Sequence, residues 1–376
     1  MAANKAKHDF NAAVNGHRGL CALLVFIFHL GSAGVVSWPA GSALTDAARF
    51  LWTSCAYGVD MFFMISGFVI LGSLLRHATV GGFLKDRFVR IYSAWVPALV
   101  AVTVVCVAFR MKMFADVTPI EGLSIFIANF FLLPPLIPLP LIHFGSWSLT
   151  YEWVFYLTAA AGVLLHRRAS ERPWAPWAMA VWLVFAGVFV SLYPRAMFFL
   201  TGVAVFKYQA WFAQHRRWLR FPALSLLLFL VAWRLTDADK AELSDTLFDF
   251  LADGRWLAAL MAFAASLHMF ASICLSADRQ TAFLKGRVFQ FLGTISYSFY
   301  LWHALIVALV KRAIIPYVVP EYGTVIGFTV FTVTSLALAL TVSWTSWAMF
   351  EGRLAQLMRR RFAPRQPLPR PLHVPR

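Results

Sequence analysis

Long apolar runs dominate this chain, and each is long enough to cross the ~30 Å hydrocarbon core of a bilayer. Ten such runs occur, separated by short polar segments. They are residues 20–37, 57–75, 91–109, 147–165, 174–193, 195–212, 219–235, 255–276, 291–310 and 322–350. Because 60% of the residues are hydrophobic and only 13% are charged, a soluble protein could not cover its surface with polar groups. The sequence predicts an all-α, polytopic integral membrane protein with about ten transmembrane helices.

An eleventh apolar segment, residues 122–142, is not predicted to cross the membrane. Pro134, Pro135, Pro138 and Pro140 crowd its end and forbid a continuous helix there. If the segment stays on one side and the N-terminus is cytoplasmic, the 33 Lys and Arg residues divide into 24 inside and 9 outside. If it crosses, the division becomes 13 and 20, against the positive-inside rule. We therefore expect a re-entrant or interfacial segment on the outer face.

The charge distribution also predicts where the protein resides. The net charge is +16, but the basic residues lie in short runs beside apolar segments, which the positive-inside rule explains without nucleic-acid binding. Both termini are expected in the cytoplasm, and the protein in the cell inner membrane. Residues 1–352 are expected to form one transmembrane domain. Residues 353–376 are rich in Arg and Pro and predict a disordered tail close to anionic membrane lipids.

The cysteines and an acidic segment are both explained without a metal site. The four cysteines lie in or near apolar runs and form no CxxC pattern, which is typical of buried hydrophobic residues. Acidic residues recur between 236 and 253 on the predicted outer side, mostly three or four residues apart. This spacing indicates a short helix with a solvated acidic face, with a divalent-ion site as the minor alternative. No metal is predicted.

The first span carries two ionisable side chains on one helical face. Arg18 and His29 are eleven residues apart, which on an α-helix is about 20° from eclipsed and ~16 Å along the axis. Arg18 is therefore expected at the cytoplasmic interface and His29 near mid-membrane. Because an ionisable group at that depth is costly to bury, it indicates a function. A neutral histidine that is hydrogen-bonded to another helix is the equal alternative.

Polar residues in the second span and the following loop favour the functional interpretation. The second span opens GVDMFFMISGF, with Asp60 near its outer end and Ser66 nearer the middle. Arg87 and Arg90 follow in the next inner loop, three residues apart and so on one helical face. Such a pair suits a multivalent phosphate, although ordinary flanking charge explains it as well.

Two later spans add further buried polar groups. The fourth span opens GSWSLTYEWVFYL, with Glu152 less than two turns inside the outer interface. The ninth contains ISYSFYLWH, which places His303 near mid-membrane. Two deep histidines with two carboxylates exceed what structural hydrogen bonding requires, and together they predict a functional polar centre inside the bundle.

The same motifs resemble those of the membrane-bound acyltransferase-3 family, the O-acetyltransferases of bacterial surface and exported glycans. They are Arg18-x10-His29, GVDMFFMISGF, the Arg87-x-x-Arg90 pair, WSLTYEWVFYL around Glu152, and SYSFYLWH ending at His303. The resemblance covers about residues 12–350. It implies that an acetyl group passes from cytosolic acetyl-CoA to a hydroxyl of a carbohydrate or lipid-linked glycan presented on the outer side.

The resemblance also implies roles for the residues of the donor side. Arg18, Arg87 and Arg90 would engage the phosphates of the acyl-CoA donor from the cytoplasm. His29 would be the central catalytic group. A neutral imidazole acts as general base on an acceptor hydroxyl, or it carries the acetyl group transiently, and the sequence does not separate the two.

On the acceptor side, the resemblance implies a second catalytic residue and a pocket. Glu152 would orient or deprotonate the sugar hydroxyl. The acceptor pocket is assigned to Asp60, Ser66, Tyr151 and His303. One position departs from the family pattern, because Asn15 stands where relatives often have an Asp two or three positions before the motif arginine.

Three other interpretations of the residues were weighed. A proton-coupled transporter would also use deep His, Asp and Glu side chains, but the chain shows no repeated halves and no paired broken helices. An acyltransferase with a lipid acceptor fits the spans equally well. A purely structural membrane scaffold leaves the buried polar residues unexplained.

Overall fold

The computed structural model describes residues 11–35, 42–111, 114, 117–168, 172–236, 245–275 and 279–362, and all regular structure in these ranges is helical. The predicted all-α fold is therefore confirmed. The α-helices are α1 (Ala12–Ser32), α2 (Ala43–Ser54), α3 (Gly58–Arg76), α4 (Val80–Ala108), α5 (Pro119–Phe130), α6 (Ser146–Arg168), α7 (Ala175–Leu192), α8 (Met197–Lys207), α9 (Gln209–Gln214), α10 (Pro222–Arg234), α11 (Leu247–Ala252), α12 (Trp256–Leu275), α13 (Arg287–Ser346) and α14 (Ala355–Phe362).

Seven helical stretches are long and apolar enough to cross a membrane, which makes this a multi-pass membrane protein. They are Ala12–Ser32, Ala43–Arg76, Val80–Ala108, Ser146–Arg168, Ala175–Leu192, Trp256–Leu275 and Arg287–Arg361. The last stretch is interrupted at Gly323, whose φ of 82° and ψ of 167° are accessible to glycine because it has no Cβ. The break separates the ninth and tenth predicted spans.

Two of the predicted spans form shorter helices than expected. The runs 195–212 and 219–235 contain α8 and α10, which have 11 and 13 residues. At 1.5 Å per residue these helices are only ~17 and ~20 Å long. Both bury aromatic side chains in the core of the bundle, so they are packed against other helices along their length.

The proline-rich segment behaves as predicted, in that its helix is too short to cross. Helix α5 begins with a capping box in which Thr118 and Glu121 satisfy each other's backbone N–H groups. It ends at Phe130, after 12 residues. The side-chain amide of Asn129 then donates to the carbonyl of Pro140 at 2.8 Å and accepts from the N–H of Ile142 at 3.0 Å. These bonds fold the proline-rich loop back onto the helix.

The first and the thirteenth helices are in backbone contact, and this contact fixes the face of α1 that carries Arg18. A Cβ at Gly19 would lie 2.7 Å from the carbonyl oxygen of Phe289, and one at Gly293 would overlap the carbonyl of Asn15. The side-chain amide of Asn15 donates to the backbone and side-chain oxygens of Gln290, both at 3.1 Å. Because a carboxylate could not donate these bonds, Asn15 contributes to helix packing in this chain.

The C-terminal segment is more ordered than predicted. After α13 the helix widens into a π-helix over Trp347–Leu354 and continues as α14 to Phe362. Residues 353–362, the first part of the expected disordered tail, are helical, and α14 packs on α4 with Arg359 paired to Asp86. The remainder of the predicted tail, 363–376, lies outside the described residues.

The acidic segment 236–253 is described only in its second half, since Asp237, Asp239 and Glu242 lie outside the described residues. Its remaining carboxylates cap or neutralise local structure. Thr246 donates from its N–H and hydroxyl to Asp249 and so lowers the pKa of that side chain. Arg255 pairs with Asp245 at 3.0 Å and with Asp253 at 2.7 Å. In the described part of the chain, no group of three or more His, Cys, Asp or Glu side chains is placed to hold a metal ion.

Candidate active site

A cavity of about 640 Å³ lies between α1, α3, α4, α6 and α13. It brings together five of the predicted site residues, namely Arg18, Ser66, Arg87, Arg90 and Glu152. The lining continues past the helix ends to His77 and Ala78, in the short connection between α3 and α4. The cavity therefore runs from the predicted cytoplasmic face into the bundle.

Arginines give this cavity its electrostatic character. Four of them, Arg18, Arg76, Arg87 and Arg90, line it against two carboxylates, Asp86 and Glu152. Among the described residues, Arg18 and Arg90 form no ion pair or hydrogen bond, although each lies within electrostatic range of the other. The buried Nε of Arg87 likewise has no partner in the described ranges. Guanidinium donors left free inside a cavity suit an anion with several oxygens.

A third carboxylate that the sequence analysis missed lies behind these arginines. Glu351 is in the π-helical turn and within electrostatic range of both Arg18 and Arg90. Its Oε1 accepts from the N–H of Ser298 at 3.1 Å and from the hydroxyl of Ser298 at 2.7 Å. π-turns recur at functional sites, and this one places a residue beyond the last predicted span within electrostatic range of two cavity arginines.

Glu152 is held by two hydroxyl groups inside the cavity. The hydroxyl of Ser66 donates to its Oε1 at 2.8 Å, and the hydroxyl of Tyr156 donates to the same oxygen. Tyr156 is one helical turn from Glu152, so both lie on one face of α6. The structure thus places the predicted catalytic carboxylate and the predicted pocket residue Ser66 in direct contact.

The inner end of the cavity is closed by a hydroxyl pair. Tyr300 and Ser148 both line the cavity, and their hydroxyl oxygens are 2.8 Å apart. Each also lies within hydrogen-bond distance of the carbonyl of Gly145, at 3.0 Å and 2.9 Å. The ring of Tyr300 continues beyond the cavity, where its centroid is 5.9 Å from that of His303. Tyr300 therefore connects the lining of the arginine cavity with His303.

The two predicted histidines form a pair beyond Tyr300. The ring centroids of His29 and His303 are 5.1 Å apart. The Nδ1 of His303 lies 2.9 Å from the carbonyl of Phe299, which it can only approach as a donor. Its Nε2 is then an acceptor, and this buried atom has no partner among the described residues. Phe144, from the loop before α6, covers His29 at 5.7 Å between ring centroids.

His29 lies closer to the end of its helix than the sequence suggested. Helix α1 spans 12–32 instead of the expected 20–37, and His29 is in its last turn. The histidine pair therefore lies near the C-terminal end of α1, on the predicted outer side. Glu152, six residues after the start of α6, faces the same cavity as the arginines.

Comparison with known proteins gives this arrangement a family. The profile of a family described as an acyltransferase domain matches residues 11–345. The chain belongs to this acyltransferase family. It is 30% identical over 271 residues to the exopolysaccharide production protein ExoZ of Rhizobium meliloti (strain 1021), a match that covers 70% of this chain and 80% of ExoZ.

A second relative carries the activity in its name. The chain is 25% identical over 225 residues to acyltransferase MdmB of Streptomyces mycarofaciens. This match covers 58% of the chain but only 55% of MdmB, so about half of that relative is compared. No solved structure matches the chain at a significant level. Membership of the family makes the protein a membrane acyltransferase, and it favours the enzyme over the transporter among the interpretations that the residues left open.

Besides His303, two further predicted pocket residues of this acyltransferase lie away from the cavity. The side chain of Asp60 is fully buried and pairs with Arg195 at 3.1 Å, and Arg195 in turn stacks over Trp147 at 5.0 Å. Tyr151 packs among aromatic rings, with its ring centroid 5.1 Å from that of Tyr193. Neither residue lines the arginine cavity. The sequence signal for the pair was available, because an arginine inside an apolar run needs a partner.

Proposed function

We propose that this acyltransferase moves an acetyl group from cytosolic acetyl-CoA to a hydroxyl of a cell-surface or exported carbohydrate, with His29 as its central catalytic residue. The observation that supports this proposal best is the continuity of the site. Tyr300 lines the arginine cavity on the predicted cytoplasmic side, and its ring lies 5.9 Å from that of His303, which is paired with His29. A donor that has anionic groups at one end and a reactive thioester at the other would place the first at the arginines and the second at the histidines.

The arginine end has the chemistry to hold the coenzyme. Acetyl-CoA carries phosphate groups at one end and the thioester at the other, joined by an extended flexible arm. Arg18 and Arg90 supply free guanidinium donors, and charge-assisted bonds to phosphate are about twice as strong as neutral hydrogen bonds. Arg18 lies ~16 Å from His29 along α1, so phosphates and thioester occupy different parts of one path.

At the histidine pair, the proposed chemistry is the attack of a hydroxyl on the thioester. A neutral imidazole nitrogen of His29 takes the proton of the acceptor hydroxyl. At the same time the hydroxyl oxygen forms a bond to the carbonyl carbon of the thioester. The carbon–sulfur bond then breaks, and the departing thiolate takes the proton back from the imidazolium. His303 holds a free buried Nε2 beside His29 and is placed to accept a hydrogen bond from it.

An acyl-enzyme route uses the same residues in two steps. His29 attacks the thioester itself, coenzyme A leaves, and the acceptor hydroxyl then displaces the imidazole from the acetyl group. Glu152 is proposed to orient or deprotonate the acceptor hydroxyl, and its contacts with Ser66 and Tyr156 hold it rigid. Label retained on the protein in the absence of acceptor distinguishes this route from direct transfer.

The acceptor class rests on a relative. ExoZ is described as an exopolysaccharide production protein, and this supports a carbohydrate acceptor, free or lipid-linked, for the present chain. In the proposed orientation, the arginine end of the site faces the cytoplasm and the histidine pair faces the outside of the inner membrane. This orientation agrees with the charge distribution of the sequence.

The proposal is tested with membranes that contain the protein, radiolabelled acetyl-CoA and the host's exported glycan. Wild type is expected to label the glycan, and His29→Ala is expected to lower the rate by about 10²- to 10⁴-fold, the usual contribution of a general base. His166→Ala is the matched control, because His166 is exposed at the end of α6. Labelling that is undiminished in His29→Ala would remove His29 from catalysis, and no glycan label in wild type would exclude this acceptor class.

A further inference from the structure

We propose that Asp86 is a built-in competitor for Arg87: its carboxylate holds this guanidinium until an anionic group of the donor arrives, and Arg359 of α14 then retains Asp86. The inference rests on the proposed function, in that the ligand of the cavity is taken to bear phosphate groups. It assigns a positioning role to the C-terminal helix, which no part of the predicted site included.

The two arginines bind different oxygens of the one carboxylate. Arg87 Nη2 lies 2.6 Å from Asp86 Oδ2, and Arg359 Nε lies 3.1 Å from Asp86 Oδ1. Neither contact blocks the other. Loss of the first contact therefore leaves Asp86 with a charged partner.

The bridge lies at the edge of the donor cavity. Asp86 and Arg87 both line the cavity. Arg359 does not line it, but contacts Asp86 from α14, which packs on α4. The side chains of Arg87, Asp86 and Arg359 are 11%, 27% and 52% exposed. Exposure thus increases from the cavity towards the C-terminal helix.

In its present conformation, Arg87 donates to Asp86 instead of pointing all its N–H groups at a ligand. Adjacent residues of a helix do not normally face each other, yet the fork of Arg87 bends to Asp86, its direct neighbour. A phosphate can accept two parallel bonds from such a fork, whereas the partly exposed carboxylate is weakened by solvent. Exchange of the carboxylate for a phosphate is therefore favourable, and Arg359 limits its cost.

This exchange predicts opposite effects for the two partners of the bridge. Removing the charge of Asp86 frees Arg87 and should tighten anion binding. Removing Arg359 leaves the full charge of Asp86 on Arg87 and should weaken anion binding. A bridge with only a structural role would give weaker binding in both cases, because both variants would disturb the packing of α14 on α4.

The experiment is a titration of the purified full-length protein with inorganic pyrophosphate as the probe, at low salt. Asp86→Asn is expected to lower the Kd by about threefold or more, and Arg359→Gln to raise it by about two- to threefold, the range of exposed ion pairs. Arg360→Gln is the matched control. It removes the same charge from the next residue of α14, which is exposed and has no ion pair with Asp86 in the described residues.

Two further measurements separate local exchange from general charge. In an Arg87→Gln background, Arg359→Gln should no longer change the Kd. At high salt the differences should shrink, because a Debye length of ~3 Å screens the exposed pair. Weaker binding in both bridge variants, equal effects of Arg359→Gln and Arg360→Gln, or no pyrophosphate binding by wild type would each overturn the proposal.

The outcome is independent of the acetyl-transfer assay. If pyrophosphate binding follows the predicted order but no acetyl group is transferred, the exchange at Asp86 stands and the proposed donor is wrong. If acetyl transfer is observed but the two variants shift the Kd in the same direction, the proposed function stands and the exchange is wrong.

Discussion

Two groups of half-buried arginines can be compared among the described residues, and they differ in what they bind. Arg195 lies against Asp60, whose side chain is fully buried, and over the ring of Trp147. Arg18 and Arg90 line a cavity and form no ion pair among the described residues. The first group is neutralised by the protein itself. The second retains free donors, and in a cavity of this size free donors are available to a ligand.

Whether a charged side chain has a partner in the protein distinguishes structural from functional charges better than its depth in the membrane does. From the sequence alone, Asp60 and Arg18 were both polar groups in apolar runs. Burying a charge is tolerated when a partner compensates for it, so a paired charge is explained by folding. An unpaired one needs another explanation, and the explanation we propose here is a phosphate-bearing donor. The two groups should therefore fail differently when they are mutated.

The largest effect is expected at the paired group. Arg195→Met leaves the carboxylate of Asp60 buried without its partner, which costs about 3–5 kcal/mol in buried ion pairs. We expect a marked fall in thermal stability, measured on purified protein in detergent. The acetyl-CoA affinity of the protein that remains folded should be unchanged, because Arg195 does not line the cavity.

The double variant Asp60→Leu with Arg195→Met is the control, since replacing a buried pair by apolar residues is often neutral or stabilising. Recovery of stability in the double variant would confirm that the single variant fails through an unpaired charge. A donor affinity that falls with Arg195→Met would instead connect this pair with the donor site and end the distinction.

At the unpaired group, the expected loss is in affinity. Arg90→Ala removes charge-assisted hydrogen bonds worth about 1.5–3 kcal/mol, which corresponds to a roughly 10- to 150-fold higher Kd for acetyl-CoA. The melting temperature should stay near that of wild type, because no protein partner loses a bond. Arg167→Ala is the control, as this arginine is exposed at the end of α6 and does not line the cavity. An unchanged Kd would exclude Arg90 from the donor site.

The smallest effect is expected from the hydrogen bonds that hold Glu152 in the cavity. Ser66→Ala removes one of the two hydroxyl groups that hold its Oε1, a loss of about 0.5–1.5 kcal/mol. The acetyl-transfer rate should fall by less than about tenfold, while the KM for acetyl-CoA remains unchanged. Ser73→Ala, in the same cavity but without a bond to Glu152, should leave both values as they are. A changed KM in Ser66→Ala would place Glu152 in donor binding.

Hydropathy and charge were sufficient to predict the class of fold. The all-α architecture and the short helix before the proline-rich loop follow from apolar length and from the prolines after Phe130. What they could not predict is helix length inside the bundle. Helices α8 and α10 are shorter than a span, and both pack aromatic side chains into the core of the bundle. The helix over residues 355–362 also makes a tertiary ion pair with Asp86, which hydropathy does not predict.

The sequence motifs predicted several residues of the site but not the residues that contact them. Arg18, Arg90 and Glu152 share one cavity, as a common functional centre requires. Tyr300 and Glu351 were missed because their roles depend on helix contacts that link distant parts of the chain. Tyr156 was within reach of the sequence, since it stands one turn after Glu152. The separation of Asp60 from the cavity follows from Arg195, which lies 135 positions along the chain.

The most direct test of the account compares donor binding with acetyl transfer in His29→Ala, measured on one preparation. If the arginine cavity holds the donor and His29 acts on its thioester, the Kd for acetyl-CoA should stay within about twofold of wild type. The single-turnover transfer rate should fall by about 10²-fold or more. A variant that binds the donor as well as wild type and still transfers the acetyl group at the wild-type rate would contradict the account.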